Sequence, residues 1–126
     1  MKQPKFVILR RADGAQLPVR VRYCRTFLCR LRGLTFRRAL GPEEALLLVE
    51  RRESRLDTAI HMFFVFFDIA AIWLDAQGTV VSAQLARAFR PYYVAPKPAQ
   101  YVLEAAPALL EQVQVGDHFT IEPLEE

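Results

Sequence analysis

AIHMFFVFFDIAAIWLD, residues 59–75, is a nearly unbroken apolar run interrupted only by His61 and Asp68 before it closes on Asp75. In a chain of 126 residues, long enough for one sizeable core, such a segment reads as the heart of that core. A buried polar side chain left unpaired costs about 1–3 kcal/mol, so His61 and Asp68 each call for a partner or a purpose. Ile69 to Leu74 reads as a strand, Asp75-Ala76-Gln77-Gly78 as a turn, and residues 79–85 as the strand that returns antiparallel from it. Phe63, Phe64, Phe66 and Phe67 are too consecutive for one interior, because a strand sends alternate rings to opposite faces. Core packing between two layers is the preferred reading of these rings, and a surface groove is the alternative.

Outward from this run the chain reads mostly as strands. Residues 6–9 and 17–23 flank Ala12-Asp13-Gly14 as a first hairpin. Thr26 is placed to cap a short helix over Phe27 to Arg32, and Gly33 stands where such a helix exits through a left-handed residue. Residues 45–49 are short, continuous and apolar, the mark of a strand buried on both faces, and residues 51–54 read as a loop. Three prolines make residues 91–98 an irregular loop, since proline cannot donate into a ladder. Residues 101–104 read as strand, 106–112 as a turn or short helix, and 118–121 as the closing strand. The expectation is one α+β domain over residues 1–126, mainly β: a compact antiparallel sheet or barrel-like fold with one or two short helices.

Charge is arranged more tellingly than its net value of +3. No acid falls between Asp13 and Glu43, an interval holding Arg20, Arg22, Arg25, Arg30, Arg32, Arg37 and Arg38. After Lys97 the sign inverts, with Glu104, Glu111, Asp117, Glu122, Glu125 and Glu126 and no Lys or Arg. The arginine segment 20–38 either meets an anionic ligand or folds against the acidic C-terminal segment, and solvated or self-paired charge is the preferred reading. A nucleic-acid partner is disfavoured on the same ground. Cys24 and Cys29 have the spacing of neither a redox pair nor a zinc half-site, so reduced thiols are expected, with Cys29 on the buried face of the short helix. Residues 59–74 are too short and too polar for a membrane span, and the N-terminus lacks the apolar stretch of a secretory signal, which points to a cytoplasmic protein.

Several chemistries find no support. There is no glycine-rich phosphate loop, no histidine pair with metal-ligand spacing and no glycine-flanked nucleophilic serine, so no metal and no cofactor is expected.

Arg32-Gly33-Leu34 with Phe36-Arg37, then Ile60-His61-Met62-Phe63-Phe64, Ile72-Trp73-Leu74-Asp75, Val102-Leu103-Glu104 and Gly116-Asp117, taken in this order, resemble domain-of-unknown-function family 192 over about residues 18–122. The resemblance implies a compact, mainly β domain with little helix and no established activity. The chain departs from the family pattern where a Pro-Ile-Asp triplet opens the central strand, since Asp68-Ile69-Ala70 stands there. On a regular strand Asp68 and Ala70 share a face, so Asp68 partly restores the carboxylate; in a preceding loop it does not. The family's glycine after the Leu-Glu and proline segment is also replaced, Ala108 following Pro107.

These readings assemble a candidate binding site from Arg32, Gly33, His61, Met62, Phe63 and Asp68, in a groove between the Arg32-Gly33-Leu34 turn, the His61 segment and the proline-rich loop. A structural, hydrogen-bonded His61 is preferred to a catalytic one, because Asp57, Asp68, Asp75 and Glu104 form no recognised triad or carboxylate pair with it. The first functional expectation is a binding module for a small anionic molecule or a peptide. The alternatives are an interaction or assembly domain using exposed phenylalanines, and a small enzyme using His61 with Asp68.

Overall fold

The computed structural model describes residues 4–124. Residues 1–3, part of the N-terminal stretch weighed above as a signal, and the acidic Glu125 and Glu126 lie outside the described residues. One sheet of seven strands carries the fold: β1 (Phe6–Arg11), β2 (Arg20–Cys24), β3 (Glu44–Ser54), β4 (Ile69–Leu74), β5 (Val80–Ala86), β6 (Ala99–Ala105) and β7 (Phe119–Pro123), in spatial order β5-β4-β6-β3-β2-β1-β7. A short α-helix, α1 (Phe27–Arg32), lies between β2 and β3, and a 3-10 helix (Pro107–Gln112) lies between β6 and β7. The class is therefore α+β and mainly β.

Every neighbouring pair is antiparallel except β2 and β3. A parallel pair cannot be joined by a tight turn, and the α1 segment supplies the long crossover that the pairing requires. The sheet stays open. Among the described residues its two edge strands meet at one bridge, between Thr79 and His118, where Val80 N–H donates to the Asp117 carbonyl (2.8 Å) and Phe119 N–H to the Gly78 carbonyl (2.9 Å).

Strand alternation sorts the apolar residues onto two faces. Leu9, Val21, Leu47, Ile72, Leu103 and Phe119 point into one core, under the 3-10 helix and its Leu109. Leu46, Ile69, Ala71, Trp73 and Val102 point into the other, covered by α1 and by the loops of residues 55–68 and 87–98. With a core on each side, all six residues of β4 are buried, as are Ala45, Leu46 and Leu47 of β3. Residues 51–54, expected as a loop, extend β3 past an irregularity between Val49 and Ser54, because Ser54 still pairs with Ala99.

Two further expectations are corrected. Cys24 and Cys29 are joined by a disulfide rather than free: β2 ends at Cys24, and the first turn of α1 brings Cys29 back until the two Cα atoms are 5.6 Å apart, within bridging reach. The Phe residues before β4 are not core packing. Phe63, Phe64 and Phe66 are about half exposed while Phe67 packs against the second core, because residues 61–68 form turns and not a strand, with Phe64 at φ +59°.

Candidate functional site

The site is built where the α1 turn faces the loop of residues 57–62 across the ends of β3 and β6. Thr26 caps α1 by accepting from the Cys29 N–H (3.2 Å), and the helix exits through Gly33 at φ +49°. On the other side, Trp73 Nε1 donates to the Thr58 carbonyl (2.8 Å) and Thr58 Oγ1 to the Ser54 carbonyl (2.6 Å), which pins residues 54–58 to β4. Ile60 and Tyr93 exchange backbone hydrogen bonds of 2.9 and 2.8 Å, and Met62 N–H donates to the Arg90 carbonyl (2.9 Å), so the proline-rich loop braces this wall from behind. The cavity enclosed has a volume of about 330 Å³.

Its floor is apolar except at one point. Leu48 of β3, Ile69 of β4 and Val102 of β6 line it beside Glu104, which lies opposite Leu46 and Ala71 in the sheet register. Glu104 is only 5% exposed, and among the described residues no hydrogen bond or ion pair reaches its carboxyl. Burial pushes its pKa up to about 7, since a carboxylate there would be poorly hydrated and would have no counter-charge among the described residues. The Gly33 turn lies over it, where an added Cβ would stand 3.7 Å from Glu104 Oε1. Nearby, Arg30 spans to Glu50 (3.4 Å) and donates to the Val49 carbonyl (3.0 Å). Burial raises the Glu50 pKa and the Arg30 guanidinium pulls the other way.

A carboxyl that titrates near neutral pH can do two things in such a cavity. Protonated, it donates one hydrogen bond; ionised, it offers an unpaired negative charge to a cation. Among the described residues no group of three or more His, Cys, Asp and Glu side chains is arranged to hold a metal ion.

Four of the residues expected at the site, Arg32, Gly33, His61 and Met62, line this cavity; Phe63 and Asp68 do not. Asp68 lies just before β4, in the loop alternative, and its Oδ1 accepts from the Ala88 N–H (2.9 Å). His61 is exposed, its Nδ1 accepts from the Phe63 N–H (3.2 Å), and its ring lies tilted against Phe63 with centroids 5.6 Å apart. The structure does not bring His61 and Asp68 into contact. Sequence reasoning underweighted Glu104, which it quoted in a family motif and as one acid that could approach His61 but left out of the candidate site. The signal was present in residues 101–104, where the acid falls in phase with Val102 on an apolar strand.

The fold defines a class, small open-sheet α+β domains, and in this chain Glu104 stands at the floor of the cavity. The chain belongs to the DUF192 family, the uncharacterized ACR proteins, whose sequence profile matches residues 8–121. It is 35% identical to a UPF0127 protein of Thermococcus kodakarensis over 122 residues, covering 95% of this chain and 76% of that one. It is 31% identical to a UPF0127 protein of Pyrococcus furiosus over 106 residues, covering 82% and 88%. Among solved structures it is similar to a candidate transcription regulator from Sinorhizobium meliloti (TM-score 0.81, 20% identity, 94% of each chain). A protein of unknown function from Novosphingobium aromaticivorans is also similar (TM-score 0.76, 20% identity, 91% and 83%). At that identity the two structures show the fold alone. No helix among the described residues is long and apolar enough to cross a membrane.

Proposed function

We propose that the protein is a binding module that takes a small molecule or a peptide side chain in the cavity above Glu104. The observation that carries this reading is Glu104 itself: a largely buried carboxyl at an apolar cavity floor, with no protein partner among the described residues, destabilises the fold when ionised, and a ligand that hydrogen-bonds it offsets that cost. The ligand has an apolar body, held against residues such as Leu34, Leu48 and Val102, and a polar end. An anionic end suits the site while Glu104 is protonated, with Arg32 on the cavity wall as counter-charge.

Hexanoate is a suitable probe. Titrated into the protein at about pH 6, where Glu104 is largely protonated, it shifts the backbone NMR signals of Gly33, Thr58 and Val102, and at about pH 8 its affinity falls about tenfold as the carboxylate repels it. Arg32→Ala weakens hexanoate at both pH values and changes stability by no more than about 0.5 kcal/mol, because Arg32 is exposed and no acid pairs with its guanidinium among the described residues. Hexanoate leaving those three signals unmoved at both pH values sinks the anionic form of the reading, and hexylamine tested the same way decides whether a cation takes its place.

A second reading, an interaction or assembly domain, is supported by an exposed aromatic ridge. Phe36 stacks on Phe64 (centroids 5.1 Å), and Phe89 meets Phe64 (6.4 Å) and Phe66 (5.3 Å) edge on. Among the described residues, those other than glycine at positive φ are three of these rings, Phe36 (+63°), Phe64 (+59°) and Phe89 (+62°). Backbone strain spent on holding apolar rings at the surface suits a partner that covers them. Phe64→Asn, a residue tolerant of that conformation, leaves the melting temperature unchanged or raised and abolishes concentration-dependent association in sedimentation velocity. A lower melting temperature with association unaltered makes the ring structural.

A further inference from the structure

One wall of the Glu104 cavity is the run from Arg30 to Leu34, the last turn of α1 and the exit from it. That helix has six residues, too few to hold a helical form without tertiary anchors. Its anchors are few. Leu28 is 75% exposed and Leu31 61%, so among the described side chains of the helix the apolar one that packs against the second core is Cys29. Cys29 is bonded in turn to Cys24, which ends β2 and is fully buried. The remaining ties among the described residues are the exposed Thr26 cap and Arg30, which reaches the Val49 carbonyl and Glu50.

The disulfide is also within reach of solvent on one side. Cys29 is half-buried and lines a second concavity, of about 820 Å³, which shares the Arg32-Gly33-Leu34 turn with the Glu104 cavity. Cys24 is closed off in the core, so an incoming thiolate meets the Cys29 sulfur first. Leu34 and Arg32, which the bound ligand would touch, follow directly from α1, and their positions depend on where the helix is held.

We propose that the Cys24–Cys29 disulfide is a reducible latch on the Glu104 cavity: a dithiol entering the second concavity opens the bond, α1 loosens, and the cavity releases its ligand. The inference rests on the binding reading above. One thiolate of the dithiol attacks Cys29 Sγ, the bond to Cys24 breaks, and Cys24 leaves as a thiolate that takes up a proton. The second thiolate then attacks the dithiol's own sulfur in the mixed disulfide. Cys29 is released and protonated, and the dithiol departs as an intramolecular disulfide, so two electrons and two protons have passed to the protein. As a thiol Cys24 keeps its place in the core, where a free cysteine packs as a small hydrophobe. The ring closed by the bond spans only residues 24–29, so opening it frees the unfolded chain less than opening a long-range bond would, and the sheet survives.

The test is reduction of the folded protein with dithiothreitol at about pH 8, followed by anaerobic transfer to about pH 6, with the gain of two hydrogens confirmed by mass. Amide hydrogen exchange is read at Arg30, whose N–H donates to the Thr26 carbonyl (3.0 Å), and at Gly33, whose N–H donates to the Cys29 carbonyl (2.9 Å). Both are expected to exchange about tenfold or more faster after reduction, while Val102 in the middle of the sheet is unchanged. Hexanoate affinity is expected to fall about tenfold and to return on reoxidation. Cys29→Ser reproduces the reduced behaviour, and dithiothreitol then changes nothing further. Thioredoxin at the same thiol concentration reducing the bond faster than dithiothreitol assigns a dithiol protein as the source, and equal or slower reduction assigns a small dithiol. Failure of hexanoate to bind the oxidised protein removes the binding reading and leaves the latch to be judged on the two amides. A bond that resists reduction in the folded protein, Arg30 and Gly33 amides that exchange no faster, equal acceleration at Val102, or bound hexanoate held equally in both redox states overturns the proposal.

Discussion

Glu104→Gln melts at a temperature about 10 °C above the parent protein at about pH 9, and the difference closes at about pH 4. Burial raises the Glu104 pKa from 4.5 to about 7 in the folded state, so between those values the folded protein holds a proton that the unfolded chain has lost. Stability is therefore fully present below the unfolded value and declines as pH rises through about 7. The loss amounts to about 3 kcal/mol once the carboxylate is fully ionised. Glutamine keeps the shape without the charge, and because Glu104 has no partner among the described residues, the amide breaks nothing. Thermal melts of both proteins across this pH range check the prediction, and parallel stability curves would mean that Glu104 is not the titrating group.

Glu50 pulls in the same direction, since burial raises its pKa too, but Arg30 at 3.4 Å offsets part of the effect and its slope is the shallower one. Asp117 acts oppositely. The Gln114 N–H and the Arg11 guanidinium hold its carboxyl below the usual range, so the stability it contributes is present at neutral pH and lost on strong acidification.

Gly78→Ala costs about 3 kcal/mol or more, enough to leave much of the protein unfolded at moderate temperature. Gly78 closes the β4–β5 turn at φ +88°, and a Cβ there would overlap the carbonyl oxygen of Phe119, a backbone atom that cannot swing aside. The same contact carries the Phe119 N–H to Gly78 carbonyl bond at the place where the two sheet edges meet. Moving Phe119 disturbs a large, fully buried ring of the first core as well. Gly14→Ala is the control: φ is +92°, but an added Cβ meets nothing within 4 Å, so only the conformational penalty of about 1 kcal/mol remains. Urea unfolding of both variants separates the effects, and equal losses would remove the edge contact as the cause.

Local features of the fold were legible because nearby residues determine them. Asp75 to Gly78 between two apolar segments made the β4–β5 hairpin readable, and Thr26 with Gly33 bracketed α1 at its observed ends. Parts of the site were legible too, through Arg32, Gly33, His61 and Met62. The disulfide was not, since a gap of four residues between cysteines matches no local rule, and only the angle at which α1 leaves β2 brings Cys24 to Cys29. Nor were the exposed phenylalanines: the apolar run promised core, but the turns of residues 61–68, with Phe64 left-handed, leave Phe63, Phe64 and Phe66 at the surface.

By itself the sequence determined most of the strands, though not the extension of β3 over residues 51–54, together with the short capped helix and the alternation that separates Val21 from Arg20 and Arg22, because each follows from the period of a strand or the chemistry of a cap. Only the tertiary structure decided that Glu104 ends at an apolar cavity floor with no partner among the described residues while Asp68 is held by a loop amide. The same carboxylate chemistry appears at both positions; their environments differ because β3, β4 and the Gly33 turn, distant in sequence, close over one and not the other.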